Sequence, residues 1–293
     1  MNCTIHRAGA LAFTLLLASC AGTPSPSARQ AEAGAARSSR LASQAQPFEA
    51  FMRRASAIDA SFSGPSQVNQ GLAAGAAYEP RALESGMIAY AALAALEEPR
   101  FVAGVRAAAR KDRGLAQRLA ARPDLASDLP GAPAAAARAG AALWRQGETL
   151  GSGGRQVKSA AYSIQRQAWA RAKVADPQGR LQRVKADAVY RPAEGDRAQL
   201  MRALAQGGSR GGARGPVIQR ALALAALDVL GQSSRAAGLA SEPKSGMCLR
   251  LAKLDFHQCL SAAGPYYEDI YCLGQHAMID PGQCVKAAAE GRS

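Results

Sequence analysis

Two stretches of the chain are strongly apolar, the first of them on every side. Residues 87–96 are ten consecutive apolar positions closed by Glu97-Glu98-Pro99, and residues 217–230 form a second alanine–leucine run closed by Gly231. Runs of this kind predict buried helices, too short to span a bilayer, which takes about 20 apolar residues. Elsewhere apolar positions recur at helical spacing. Phe48, Phe51, Met52 and Ile58 predict a short amphipathic helix, and Val157, Ala161, Ile164, Ala168 and Ala172 predict another over 156–175. Further helices are expected over 81–98, 100–111, 112–121, 123–129, 134–150, 180–190 and 194–206, broken at Pro and Gly signals. Gly151-Ser152-Gly153-Gly154 reads as the joint between 134–150 and 156–175. Residues 61–80, with Gly64-Pro65, Gly71, Gly75 and Tyr78-Glu79-Pro80, read as a long loop holding at most a helical turn. Nothing reads as a sheet. Alanine is abundant and aromatic residues make up 5% of the chain, so the expected class is all-α, an irregular multi-helix bundle.

The first residues follow a different pattern. Arg7 precedes an apolar run over 8–18, which ends in the small residues before Cys20; this is the layout of a cleaved export signal. Leu17-Ala18-Ser19-Cys20 resembles the lipobox of bacterial lipoproteins. The resemblance implies a thioether-linked diacylglycerol on Cys20, cleavage before it and acylation of the new amine, palmitate being such an acyl group. Two or three chains anchor stably where one does not. Ala21, in place of Asp, matches the outer-membrane sorting rule of Gram-negative lipoproteins. The expected location is therefore the outer membrane, lipid-anchored and facing the periplasm. Residues 1–19 are read as the removed signal and 20–47, poor in bulky apolar side chains apart from Leu41, as a flexible tether. Residues 48–240 are read as an alanine-rich helical domain and 241–293 as a separate four-cysteine hairpin.

Charge changes the picture in the middle of the chain. Residues 100–220 hold 23 Lys and Arg against eight Asp and Glu, in a protein of net charge +14. Arg166 and Arg171, in the 156–175 helix, and Arg210 and Arg214, in the glycine–arginine loop 207–215, are the candidate binding residues. Peptidoglycan carboxylates, lipopolysaccharide phosphates or an envelope protein are the expected contacts, beside the membrane itself. Nucleic acid is not expected of an exported lipoprotein. A solvated basic surface that binds nothing specific stays open.

The tail carries Cys248, Cys259, Cys272 and Cys284. An even cysteine count in an exported chain predicts disulfides. Cys248 and Cys259 lie about three helical turns apart and so share a face, and Gly264-Pro265 turns the chain back. An antiparallel hairpin pairs inner with inner and outer with outer, giving Cys259–Cys272 and Cys248–Cys284, with Asp280-Pro281 expected to interrupt the returning helix. The layout resembles the coiled-coil-helix-coiled-coil-helix pattern of twin cysteine pairs, by geometry alone and with different spacings. His257 and His276 beside Cys259 and Cys272 raise zinc as an alternative, but H-x-C and C-x3-H are weak metal patterns and an oxidising compartment favours disulfides. No metal and no cofactor are expected. Tyr266, Tyr267 and Tyr271 read as packing at the hairpin turn.

Nucleophile-elbow, phosphate-loop and HExxH motifs are missing from the sequence. Glu84-Ser85 matches one element of the lysozyme-like lytic transglycosylases, a catalytic Glu followed by Ser, but Gly86-Met87-Ile88 does not continue that family's signature. Glu84 is the weak catalytic candidate, its alternative being a helix N-terminal acid; Glu148 beside Trp144 is weaker still. The leading expectation is a non-enzymatic envelope binding or assembly factor, against a peptidoglycan-active lytic enzyme using Glu84 or a purely structural lipoprotein.

Overall fold

The computed structural model describes residues 26–210 and 213–292, with side chains described from Arg40 on. Among the described residues, thirteen α-helices are joined by short 3-10 and π-helical turns, and there is no strand, only an isolated bridge between Lys173 and Pro265. The chain is all-α, as its composition predicts. The signal segment 1–19, Cys20 and Ala21 lie outside the described residues.

The buried centre is α3 (Pro80–Leu96), whose residues 86–95 are all enclosed. α1 (Pro26–Ser56), α6 (Ala132–Ile164), α10 (Pro216–Val229) and α11 (Pro243–Ala262) pack around it. With an apolar side chain on every face, α3 has no side left for water, and four helical neighbours are what that pattern requires. α2 (Pro65–Ala76), α4 (Pro99–Lys111), α5 (Leu115–Ala121), α7 (Ala168–Arg171), α8 (Pro177–Ala186) and α9 (Asp196–Ala205) fill the periphery. The chain ends in α12 (Tyr266–Cys272), a π-helical turn Leu273–Ile279 and α13 (Asp280–Glu290).

Four expectations are corrected. α1 runs unbroken through Pro47, and Leu41, Ala42 and Ala45 are buried, so the ordered chain extends into the stretch read as a tether. Leu41, Ala45, Phe48 and Met52 form one apolar stripe, and its burial outweighs the hydrogen bond that Pro47 removes. Residues 65–76 form α2, because Val68, Leu72 and Ala76 bury one face while Gly71 and Gly75 let Leu273 approach. The glycine run 151–154 is no joint. A Cβ on Gly147 would stand 2.6 Å from the Gly282 carbonyl oxygen, and one on Gly154 would stand 2.8 Å from that of Gly274. These glycines are where the returning chain lies against α6, and tertiary contact keeps helical what local propensity would break.

The fourth correction concerns the tail. Asp280-Pro281 does not interrupt the returning helix; it starts α13 directly after the π turn, with Pro281 in the first turn. Cys248 is bonded to Cys284 and Cys259 to Cys272, with Cα separations of 5.8 and 5.7 Å, the two pairs the spacing predicts. The hairpin is not a separate unit. Leu249, Phe256, Leu260, Met278 and Val285 belong to the same apolar cluster as Leu83, Leu143 and Val157, so the core does not break at 240/241.

Candidate functional site

Glu84 sits in the first turns of α3 and is 3% exposed. Its Oε1 accepts the Ser241 hydroxyl at 2.9 Å and the Glu242 amide at 2.5 Å, at the start of α11. Its Oε2 faces Gly246 so closely that a Cβ there would stand 2.6 Å away. Two clefts, each about 500 Å³, adjoin at Ala82, Ser85 and Ala240, and the second is lined by Arg81, Glu84 and Arg250. A glycosidase acid must deliver its proton to a leaving oxygen. Glu84 instead spends its lone pairs on holding α11 to α3. Glu148, the other carboxylate considered, is bonded by Lys286 and by Arg155 at 2.8 Å, and these contacts lower its pKa. It is held as a carboxylate, not as a proton donor.

The four candidate arginines do not form one patch. The Arg210 amide bonds the Ala137 carbonyl near the start of α6, and Arg166 follows the other end. At 1.5 Å per residue the two lie roughly 40 Å apart. Arg210 is also engaged, its guanidinium 4.4 Å from the Trp144 ring centroid and bonded to Glu290 at 3.3 Å. Arg214 is exposed on a separate cleft with Asp128 and Gln219.

Arg166 and Arg171 land in richer surroundings. Tyr162, Trp169, Tyr266, Tyr267 and Tyr271 gather at the turn end of the hairpin, a third of the aromatic side chains of an aromatic-poor protein. Tyr162 is 56% exposed and stands edge-on to Tyr271, with ring centroids 6.1 Å apart. Lys158 lies 5.1 Å over the Tyr271 ring. The segment after α7 runs beside the turn, with Val174 N–H on the Gly264 carbonyl and Tyr266 N–H on that of Ala172. Arg171 and Lys173 are thereby brought to the tyrosines. Arg166, Arg171 and Lys173 are exposed and have no carboxylate partner among the described residues.

A buried ion pair fixes this end from behind. Arg180 of α8, 1% exposed, bonds Asp269 at 2.5 Å and the carbonyls of Leu260 and Ala263. Burial pushes the Asp269 carboxyl up, to about 6, against the pull of Arg180. With Cys259–Cys272 closing the turn, the aromatic platform rests on a rigid base. The sequence singled out the two arginines and the tyrosines separately. What it did not show is that 158–173 and 262–271 meet, since 88 residues of chain lie between them.

The zinc set read from the tail does not assemble, because all four cysteines are in disulfides. His257 faces Lys253, and its Nε2 is buried without a partner. Burial first, then Lys253 and Lys185, lower its pKa to about 4. His276 lies instead with Asp255 and Asp280, a group that only the H-x3-D spacing of His276 and Asp280 hinted at. Compared with protein-family models, with curated proteins and with solved structures, the chain matches none.

Proposed function

We propose that the protein is a lipid-anchored, periplasm-facing factor of the bacterial envelope that binds rather than catalyses. Its contact is the tyrosine–arginine end, and its partner is an anionic envelope polymer, with peptidoglycan the first to test. The anchor is the lipobox resemblance at Cys20, which supports an outer-membrane address. The observation carrying the binding role is that exposed Arg171 and Lys173, with no carboxylate partner among the described residues, flank the segment whose backbone bonds the tyrosine-bearing, disulfide-fixed turn, with Arg166 a few residues before it. Cations supply long-range attraction to carboxylate or phosphate groups, and tyrosine and tryptophan faces supply flat apolar area for sugar rings.

The test is co-sedimentation of the disulfide-intact protein with isolated peptidoglycan sacculi at low salt and at about 0.15 M salt, where the Debye length is roughly 8 Å. Sedimentation that falls at least fivefold in an Arg166→Glu/Arg171→Glu double variant, and not in Arg214→Glu, supports the reading. Equal sedimentation of all three proteins overturns it. Soluble glycan fragments that disappear with Glu84→Gln would move the protein to the lytic enzymes. Absence of binding at either salt would direct attention to lipopolysaccharide or a protein partner.

A further inference from the structure

Asp255 of α11, His276 of the π-helical turn and Asp280 at the head of α13 bring one potential ligand atom each within 4.8 Å of one another. The covalent frame builds this arrangement. Cys272, His276, Asp280 and Cys284 follow at intervals of four, while Asp255 lies between Cys248 and Cys259. All three polar side chains therefore occupy the strip between two disulfides that join α11 to the returning chain. His276 Nδ1 is 2.7 Å from Asp280 Oδ2. Gln275 donates to the other Asp280 oxygen at 2.8 Å. A dication seated between Nδ1 and the carboxylate would replace the proton they share and leave both as ligands.

Asp255 and Asp280 are half-buried carboxylates with no lysine or arginine partner among the described residues, in a chain of 36 basic side chains against 22 acidic ones. A basic side chain would ordinarily join two carboxylates this close. The nearby Lys253 does not: its Nζ lies 4.4 Å over the Tyr78 ring and donates to the Ala76 carbonyl. Tyr78 itself is 2% exposed, and its hydroxyl has no partner.

We propose that Asp255, His276 and Asp280 bind a transition-metal dication of the zinc class, with solvent completing its coordination. One imidazole with two carboxylates suits zinc better than calcium or magnesium, which take oxygen ligands throughout. Bonds of about 2.0–2.2 Å require the ligand atoms to draw somewhat closer, a matter of side-chain rotation. The disulfides contribute twice. They remove the thiolates that would compete for zinc, and they hold the ligand-bearing helices at a fixed separation.

The experiment is calorimetric titration of zinc chloride into the chelator-treated, disulfide-intact protein. One zinc per chain is expected, with Tm raised by on the order of 5 °C at hundredfold excess over Kd. Asp255→Asn and His276→Gln should each weaken binding at least tenfold, while His257→Gln, which changes the other histidine of the tail, should not. Cobalt(II) serves as a second probe and should show d–d bands without thiolate charge transfer. If a variant fails to fold, the cobalt spectrum of the unsubstituted protein decides. No heat and no Tm change at about 1 mM zinc, unaltered binding in folded Asp255→Asn, or a thiolate band with cobalt would each overturn the assignment.

Discussion

A carboxylate followed by proline opens four of the helices. Glu79-Pro80, Glu98-Pro99, Asp176-Pro177 and Glu242-Pro243 start α3, α4, α8 and α11, and in each the carboxylate accepts one or two first-turn amides. The proline occupies a position whose N–H has no intrahelical partner, and the acid meets the positive end of the helix. Glu79→Ala should therefore cost about 1 kcal/mol in urea unfolding with an unchanged m-value. Glu84→Ala should cost more, about 1–3 kcal/mol, because it strands two donors at the head of α11. His257 makes a pH prediction of known sign. Its folded pKa, about 4, lies below the ordinary 6.5, so its contribution is full above pH 6.5 and is lost as pH falls toward 4. The Tm difference between the wild type and His257→Gln should narrow or reverse across that window. A difference independent of pH would show that His257 titrates normally.

At the scale of elements, glycine separates local preference from tertiary demand. Gly151 and Gly154 lie one turn apart in α6, and both cost helix propensity. A Cβ on Gly151 would meet only Arg155 Nη1, at 3.6 Å, whereas one on Gly154 would meet the Gly274 carbonyl oxygen, Met278 and Ile279, all under 3.0 Å. Gly151→Ala should stabilise by about 0.5–1 kcal/mol, and Gly154→Ala should destabilise by about 1–3 kcal/mol through overpacking. Thermal unfolding of the two variants gives opposite signs if the returning chain seats on α6 here, and the same sign if it does not.

Over the whole molecule, the disulfides hold a core made largely of alanine. Closing spans of 36 and 13 residues corresponds in the chain-entropy model to about 4 and 3 kcal/mol. Because the hairpin shares its apolar cluster with α3 and α6, reduction should lower one cooperative transition rather than release a melting tail. Calorimetry with and without reductant distinguishes the outcomes, and two separated transitions would show that 241–293 unfolds independently. The buried Arg180–Asp269 pair belongs to this scale as well. It joins α8 to both arms of the hairpin, and Arg180→Met should cost about 3 kcal/mol by leaving Asp269 uncompensated.

The pattern of residues by itself determined the helical class, the two strongly apolar core helices and the cysteine pairing, because helical period, alanine content and antiparallel spacing are local properties. It read Glu84 as a helix N-terminal acid, whereas Glu79 caps α3 and Glu84 bonds the head of α11. Whether glycine breaks or seats a helix is not local, and so the 151–154 joint and the 61–80 loop were misread. The start of order was misplaced for the same reason, since Leu41 and Ala45 count as core only once α3 lies against them. Only the tertiary structure decided that the segment next to Arg171 bonds the tyrosine turn while Arg210 bonds near the start of α6. It alone brought Asp255 to His276 and Asp280. Sites of this kind are assembled by side chains distant in sequence, and their energetics depend on which helices the core brings together.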